Sequence, residues 1–321
     1  MTPHELFEDW LRERESDVHD PLSRDAALPY SFIWKKWITW LDSRYPTGSE
    51  PGDPSAYLCV TQEDAVAFLE HGPSPAAKRE GRSASRPISR VTRLRYAEVL
   101  SRVYAHAVFR GLLVSHPFTP SLLVPRPTER ERGGQVLPPG VFEVLQGCLS
   151  PDPSVVRMRD ETIVLLLVEC GLTSGELRAL KVQHVRENRD VPGQFWLSLD
   201  GPRRAQCREV STSGGAGLAL QRWLACRDQL GKPGEWVFRS THLDHLAKVT
   251  LFALVFQQVE AACRAVGVPC PAHVGPGVIR NSVIVRRLRA GVAPAVVCRD
   301  LGIQDPKTLL RGLRHHLDYG G

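Results

Sequence analysis

The sequence predicts a mainly α-helical protein of two domains, with a small antiparallel sheet in the second, so that the second domain is α+β. The chain has 321 residues, 42% of them hydrophobic, which suffices for a core in each domain. Most apolar residues recur with the 3.6-residue period of amphipathic helices. Two segments, "GQFWLSLDG" and "AQCREVSTSG", flank the basic turn "GPRR" and predict a hairpin.

Residues 1–118 form the first predicted domain. The apolar residues of "SFIWKKWITWLDSRYP" share one helical face, and this helix ends before Pro46. Thr61 and Asp64 form a near capping box that predicts a second helix, which ends at Gly72. The segment "VTRLRYAEVLSRVYAHAVFRGLL" has the apolar spacing of a long amphipathic helix, and Gly111 ends it. The first domain is therefore expected to be a helical bundle.

A Pro-rich, charged segment, residues 119–138, is predicted to be the linker between the domains. The second predicted domain spans residues 139–321. Its periodicity predicts helices in seven segments: "PGVFEVLQGCL", "VVRMRDETIVLLLVECGL", "SGELRALKVQHVR", "GAGLALQRWLACRDQL", "TLFALVFQQVEAACRAVGV", "GVIRNSVIVRRLRAGV" and "AVVCRDLG".

The positive charge of the chain is concentrated in two blocks. The formal net charge is +6, and residues 78–110 carry nine Lys and Arg against Glu80 and Glu98. Residues 280–299 carry five arginines and no acidic residue. Two separated basic surfaces suit a protein that grips a polyanion from two sides. Long arginines that merely solvate helix faces explain the same composition.

Several classes of protein are not expected. The chain has no run of 18 apolar residues, and its N-terminus is acidic, so we expect a cytoplasmic protein without membrane contact. We expect no metal, no cofactor and no small-molecule substrate. Eight cysteines without a Cys-x-x-Cys pair predict reduced thiols rather than disulfides or a zinc site: Cys59, Cys148, Cys170, Cys207, Cys226, Cys263, Cys270 and Cys298.

Three segments resemble those of tyrosine recombinases, the phage integrase or Xer-type family. "RLRYAEVLSRVYAHAVFRGLLVSHPF" resembles the last core-binding helix, and "ECGLTSGELRALKVQHV" is similar to the first catalytic box, usually Gly-Leu-Arg-x-x-Glu-Leu. "GVIRNSVIVRRLRAGVAPAVVCRDLGI" is similar to the second, usually His-x-Leu-Arg-His and later Leu-Gly-His. The resemblance covers almost the whole chain. It implies a helical, SAM-like core-binding domain and a catalytic-type domain that together clamp duplex DNA.

The reaction of that family requires particular side chains. A tyrosine attacks a DNA phosphate, two arginines neutralise its oxygens, a lysine protonates the leaving oxygen, and histidines or a tryptophan orient the phosphate. The resemblance places the second arginine on Arg280 and the lysine near Arg203 or Arg204. The first arginine, the leading histidine, the later histidine or tryptophan and the tyrosine fall on Thr173, Gly277, Ile303 and Gly312. The resemblance thus implies the fold and DNA binding and argues against catalysis.

One alternative nucleophile exists. Tyr319 lies seven residues beyond Gly312, and a shifted or trans-donated tail would present it. Arg178, Arg311 or Arg314 would replace the missing first arginine only after a backbone rearrangement. The pair His315 and His316 is better explained by the favourable interaction of basic groups with a helix C-terminus than by catalysis.

The leading hypothesis is a DNA-binding pseudoenzyme from a mobile genetic element. It acts as a non-catalytic subunit or accessory factor in DNA recombination and integration, with duplex DNA and an active tyrosine recombinase as partners. The expected DNA contacts are Arg280, Arg203, Arg204, Arg86, Arg90, Arg93, Arg95 and Arg286. The alternatives are a divergent active integrase, a transcriptional regulator, and an assembly protein.

The C-terminal leucines leave two interpretations open. Leu309, Leu310 and Leu313 form either a docking face for self-association through the C-terminal helix or part of the core of their own domain.

Overall fold

The chain divides into two compact units, Met1–Arg132 and Gly133–Gly321. The computed structural model describes residues 1–17, 22, 24–45, 56–71, 88–125, 128, 133–151, 153–201, 204–212, 214–230, 234–239, 245–271, 273–310 and 312–317. The division falls inside the segment predicted to be the linker. Parts of that segment are packed rather than free, because Pro120–Leu123 forms a helical turn and Val124 and Leu137 are buried in the cores of the two units.

The regular secondary structure described in the first unit is all helical. It contains α1 (Pro3–Ser16), α2 (Arg24–Arg44), a 3₁₀ turn (Ala56–Leu58), α3 (Gln62–His71), α4 (Arg90–Phe109) and α5 (Pro120–Leu123). The predicted start of α3 is confirmed, because the amide of Asp64 donates to Oγ1 of Thr61 at 3.2 Å and the amide of Thr61 donates to Oδ2 of Asp64 at 3.0 Å. The reciprocal bonds satisfy two donors that a helix start leaves open.

Aromatic rings fill the centre of the first unit. The ring of Trp37 meets those of Phe68 and Phe118 edge to face, with centroids 4.8 Å and 5.2 Å apart. The indole nitrogen of Trp37 donates to the hydroxyl of Tyr104 at 2.9 Å, and that hydroxyl donates to the carbonyl of Tyr57 at 2.7 Å. A polar chain thus runs through the buried core with every member paired.

The acidic start of the chain forms α1, which packs against α4. The buried ring of His106 faces two carboxylates of α1, with Nε2 3.0 Å from Asp9 and Nδ1 2.7 Å from Glu13. Arg110, directly after α4, also pairs with Asp9, with its Nε 3.4 Å from Oδ2. The acidic residues of α1 therefore lie against the C-terminal end of the basic helix α4.

The second unit is a helical body with one small sheet. Its helices are α6 (Val141–Gln146), α7 (Val155–Cys170), α8 (Ser174–Ala179), α9 (Gly214–Cys226), α10 (Lys248–Val266), α11 (Pro276–Arg289), α12 (Pro294–Leu301), α13 (Pro306–Leu310) and α14 (Arg314–Leu317). Short 3₁₀ turns occupy Val182–His184, Arg204–Gln206 and Arg227–Leu230. Each of the seven segments predicted to be helical overlaps one of these helices, but the prediction was wrong for the second half of "SGELRALKVQHVR", where α8 ends at Ala179 and a 3₁₀ turn and a strand follow.

The sheet has three antiparallel strands in the order β1 (Val185–Glu187), β2 (Phe195–Leu199) and β3 (Arg208–Ser211). Strands β2 and β3 confirm the predicted hairpin. The sequence missed β1, where two of the three residues are exposed. In the register of the hairpin Leu199 is opposite Arg208. Because side chains alternate between the faces of a strand, Arg208 lies on the same face as Val210.

A buried core surrounds α7, whose residues Ile163–Leu167 are fully buried. By length and composition α10 is apolar enough to cross a membrane, a test that core helices also pass. Its residues Leu251, Val255 and Val259 belong to the core of the second unit.

The end of the chain packs against the start of the second unit. The amide of Gly134 donates to the carbonyl of Gly312 at 2.7 Å, and Nε2 of His316 lies 2.8 Å from the carbonyl of Gly134. Leu309 and Leu313 are buried in a cluster with residues of α11 and α12. Of the two interpretations of these leucines, the structure shows packing within their own domain.

Candidate functional site

Thr173, which stands where the family pattern has its first arginine, caps helix α8. Its Oγ1 accepts the amide of Glu176 at 3.2 Å, and Oε2 of Glu176 accepts the amide of Thr173 at 2.7 Å. This reciprocal capping box explains the start of α8 without any catalytic role. The carboxylate of Glu176 is nine-tenths buried and lies at the centre of the site.

Arg280, in the first turns of α11, reaches the same carboxylate. Its Nη1 lies 3.9 Å from Oε2 of Glu176, and its guanidinium donates to the carbonyls of Gly171 and Leu301. Only 13% of its side chain is exposed. Burial lowers the pKa of Arg280 to about 10, a change that the charge of Glu176 opposes and that of Arg208 assists. Arg280 is still a cation at neutral pH.

Arg208 is the third charged member of this cluster, and the sequence did not identify it. Nη1 of Arg208 donates to Oε1 of Glu176 at 2.6 Å, and Nε donates to the carbonyl of Asp300 at 2.9 Å. Only 8% of its side chain is exposed. Burial alone would raise the pKa of Glu176, but the bonds from Arg208 and Thr173 and the two guanidinium charges hold it below its ordinary value.

Two features of the sequence, not used in the prediction, are consistent with this cluster. The letters "TSGE" have the pattern of a capping box, which marks Glu176 as a bonded residue. The alternation of β3 places Arg208 on the inward face beside Val210, where an arginine requires a partner. The sequence does not predict their contact, because Glu176, Arg208 and Arg280 are far apart along the chain.

The other positions at which this chain departs from the family pattern lie in different surroundings. Gly277 is exposed one turn before Arg280, and a Cβ added there would meet no atom within 4 Å. Ile303 packs against the cluster of α11 and α12, two residues after the carbonyl that Arg280 binds. The carbonyl of Gly312 is bonded to Gly134. The carboxylate of Glu176 thus lies beside both Thr173 and Arg280, whereas Gly312 bonds to Gly134 at the start of the second unit.

Arg178, considered as a replacement for the missing first arginine, is engaged elsewhere. Its Nε donates to the carbonyl of Leu246 at 2.7 Å. Arg314 lies in α14. Arg311 and Tyr319, the alternative nucleophile, lie outside the described residues.

Each arginine of the second basic block has a partner. Arg286 pairs with Glu143 at 2.5 Å and lies over the ring of Phe142. Asp300 pairs with Arg287 at 2.5 Å and with Arg299 at 3.1 Å, while Arg289 donates to the carbonyl of His316 at 2.6 Å. These partners lie outside residues 280–299, so the block is less positive than its composition indicates. Exposed pairs of this kind are weak and can exchange with a phosphate.

The arginines expected to contact DNA in the first unit lie near the start of α4. Arg95 is exposed, and Arg90 and Arg93 are partly exposed. Arg102, seven residues after Arg95, is exposed on the same helical face. Of the remaining expected contacts, Arg86 and Arg203 lie outside the described residues, and Arg204 begins a 3₁₀ turn at the hairpin.

The chemistry of metals and thiols gives no further site in the described part of the chain. No group of three or more His, Cys, Asp and Glu side chains there is placed to hold a metal ion. The eight cysteines are free thiols. Burial raises the pKa of Cys148 to about 11 and of Cys170 to about 12, so neither is a reactive thiolate at neutral pH.

Comparison with known proteins identifies similar structures. No family model and no curated protein matches the chain. The XerH site-specific recombinase bound to palindromic difH substrate is similar at a TM-score of 0.65 and 14% identity, over 98% of this chain and 81% of that chain. The Tn1549 transposon integrase with a circular intermediate DNA is similar at 0.63 and 19%, over 99% of both chains. A lambda integrase dimer on a core site is similar at 0.55 and 14%, over 98% and 95%.

Proposed function

Because the chain has the fold of site-specific tyrosine recombinases, we propose that it is a DNA-binding protein that does not itself cleave DNA. It acts as a non-catalytic subunit or accessory factor in site-specific recombination. The similar structures are complexes with DNA, which supports duplex DNA as the ligand.

One observation carries this proposal: the site keeps the charged group of Arg280 but has a helix cap where the family has its first arginine. Oγ1 of Thr173 is used by the amide of Glu176. A hydroxyl has no second donor for a bidentate phosphate contact and no charge to stabilise a transition state. Arg280 has five N–H donors, and its bonds to two carbonyls leave three of them. The site thus suits holding a phosphate rather than cleaving it.

The other phosphate contacts in this proposal come from exposed cations. Arg95 and Arg102 share a face of α4. The exposed Arg299 and Arg286 add positive charge in the second unit. Such contacts position a duplex without reading its sequence.

The test measures binding of the full chain to a fluorescent random-sequence duplex at several salt concentrations. We expect log affinity to fall linearly with log salt. A variant with Arg95→Gln and Arg102→Gln should flatten the slope by about 1.8, which is two contacts at about 0.9 each. Arg12→Gln on α1, an exposed arginine that pairs with Asp9, is the matched control. Absence of binding at low salt, or a slope unchanged in the double variant, contradicts the proposal.

Cleavage is tested separately on a nicked suicide duplex. We expect no covalent adduct between this chain and DNA, whether or not an active recombinase, which forms its own adduct, is present. An adduct that disappears in Tyr319→Phe would instead establish a divergent active integrase.

A further inference from the structure

Arg208 belongs to neither sequence box; its Nε and Nη1 donate hydrogen bonds within the second unit, while its buried Nη2 has no hydrogen-bond partner in the described residues. Besides Glu176 and the carbonyl of Asp300, its Nη1 contacts the carbonyl of Gln206 at 3.2 Å. Gly302 packs directly on the guanidinium, since a Cβ there would lie 2.6 Å from Nη1 of Arg208. A side chain enclosed in this way acts through its partners rather than by touching DNA.

The cluster holds two guanidinium groups and one carboxylate. Oε1 of Glu176 receives the short bond from Arg208, and Oε2 receives the amide of Thr173. Nη1 of Arg280 is 3.9 Å from Oε2, which is beyond hydrogen-bond distance. Arg208 therefore makes the direct hydrogen bond to Glu176, whereas Arg280 faces the same carboxylate only across a longer ion pair of 3.9 Å.

We propose that Arg208 is a positioning residue that occupies Glu176 and so leaves the charge of Arg280 available to a phosphate oxygen. The inference rests on the proposed function, in which Arg280 contacts DNA. A buried carboxylate that loses its cation is strongly unfavourable unless another cation replaces it. Without Arg208, Glu176 would close the gap to Arg280, and the remaining net charge at the site would be zero.

The surroundings of Arg280 are consistent with access to a phosphate. Its bonds to Gly171 and Leu301 leave three N–H donors, and part of the side chain is exposed. Gly277, on the preceding turn, has open space around its Cα. An oxygen approaching the start of α11 therefore meets no side chain at position 277.

The experiment compares the salt dependence of DNA binding among single and double variants of the full chain. Arg208→Met should weaken binding and flatten the slope of log affinity against log salt by about 0.9, one phosphate contact, because Glu176 then pairs with Arg280. Arg208→Met with Glu176→Gln should return the slope to the wild-type value, since a neutral amide does not compensate Arg280. Glu176→Gln also removes the stability cost of an unpaired buried carboxylate, so slopes are compared only among variants that thermal unfolding shows to be folded.

The variant Arg280→Gln is the reference, because it removes the proposed contact between Arg280 and a phosphate. It should flatten the slope by about 0.9, and adding Arg208→Met should flatten it no further. Arg208→Lys, which keeps a cation beside Glu176, should keep the wild-type slope. If thermal unfolding shows that Arg208→Met is not folded, Arg208→Gln takes its place, because it retains a donor toward Glu176 without the charge.

The outcomes separate this inference from the proposed function. A wild-type chain that does not bind DNA overturns both. A wild-type chain that binds DNA, together with an unchanged slope in Arg208→Met or no recovery in the double variant, overturns the positioning role of Arg208 alone. If Arg280→Gln also leaves the slope unchanged, Arg280 is not a phosphate contact, and this inference fails while DNA binding through other residues stands.

Discussion

Thr173 and Glu176 cap one another at the first turn of α8, each accepting the amide of the other. The same carboxylate receives Arg208 and faces Arg280. A change at position 173 therefore affects both the start of a helix and the charge balance of the candidate site.

Replacing the cap should lower stability. Thr173→Ala removes the acceptor for the amide of Glu176, and we expect a loss of about 1 kcal/mol in the free energy of unfolding. Thr173→Ser, which keeps the hydroxyl, should lose much less. Urea denaturation of both variants measures this difference, and equal stability of the two would show that the cap is not formed.

The glycine that ends α7 should not tolerate a side chain. Gly171 has φ +62°, and a Cβ there would lie 2.7 Å from Cδ2 of Leu301. Gly171→Ala should cost more than the roughly 1–2 kcal/mol of left-handed backbone strain. Gly291→Ala is the matched control, because Gly291 has φ +81° and open space. Equal losses in thermal denaturation would mean that the contact with Leu301 is relieved without cost.

The hydroxyl of Tyr104 should contribute to the stability of the first unit. Tyr104→Phe leaves the indole N–H of Trp37 and the carbonyl of Tyr57 without their shared partner, and we expect a loss of about 1–3 kcal/mol. Tyr96→Phe, on the same helix, is the control, because no hydrogen bond of its hydroxyl is seen in the described residues. Chemical denaturation that ranks Tyr96→Phe as the more harmful change would contradict this.

The free energy of unfolding should decrease at acid pH, because Asp64 becomes protonated. Burial opposes ionisation of Asp64, yet bonds from Thr61 and Tyr45 and the charge of Arg44 hold its pKa below the ordinary 3.8. The unfolded chain therefore binds this proton first as the pH falls, and stability present above about pH 5 is lost as the pH passes through the folded-state pKa.

The variant Asp64→Asn tests this pH dependence. Its free energy of unfolding, measured from about pH 6 to pH 3, should change less steeply than that of the wild type. Asp42→Asn, at an exposed carboxylate of α2, should leave the slope as it is. An Asp64→Asn variant with the wild-type slope would assign acid sensitivity to other groups.

The helices were predictable because their apolar residues repeat over many turns. The start of α3 was also predictable, because Thr61 and Asp64 are three residues apart and their bonds are local. Strand β1 was missed because three residues with two exposed side chains show no alternation. The Pro-rich, charged composition of the expected linker did not indicate that Val124 and Leu137 within it would be buried.

The candidate site was predictable in its residue types but not in its contacts. The resemblance to tyrosine recombinases placed Thr173 and Arg280 in one site, and both do lie beside Glu176. The partner of Glu176 comes from β3, and the partner of Arg286 is Glu143, far away in the chain. Such pairs depend on tertiary packing, so the apparent charge of residues 280–299 was an overestimate.

The bonds between Gly134, Gly312 and His316 make the second unit a closed loop of chain. A unit whose ends meet can be circularly permuted, because a short peptide joins the old ends and new ends are opened in a surface turn. Because His316 lies against Gly134, only a short peptide would be needed to join these two parts of the unit.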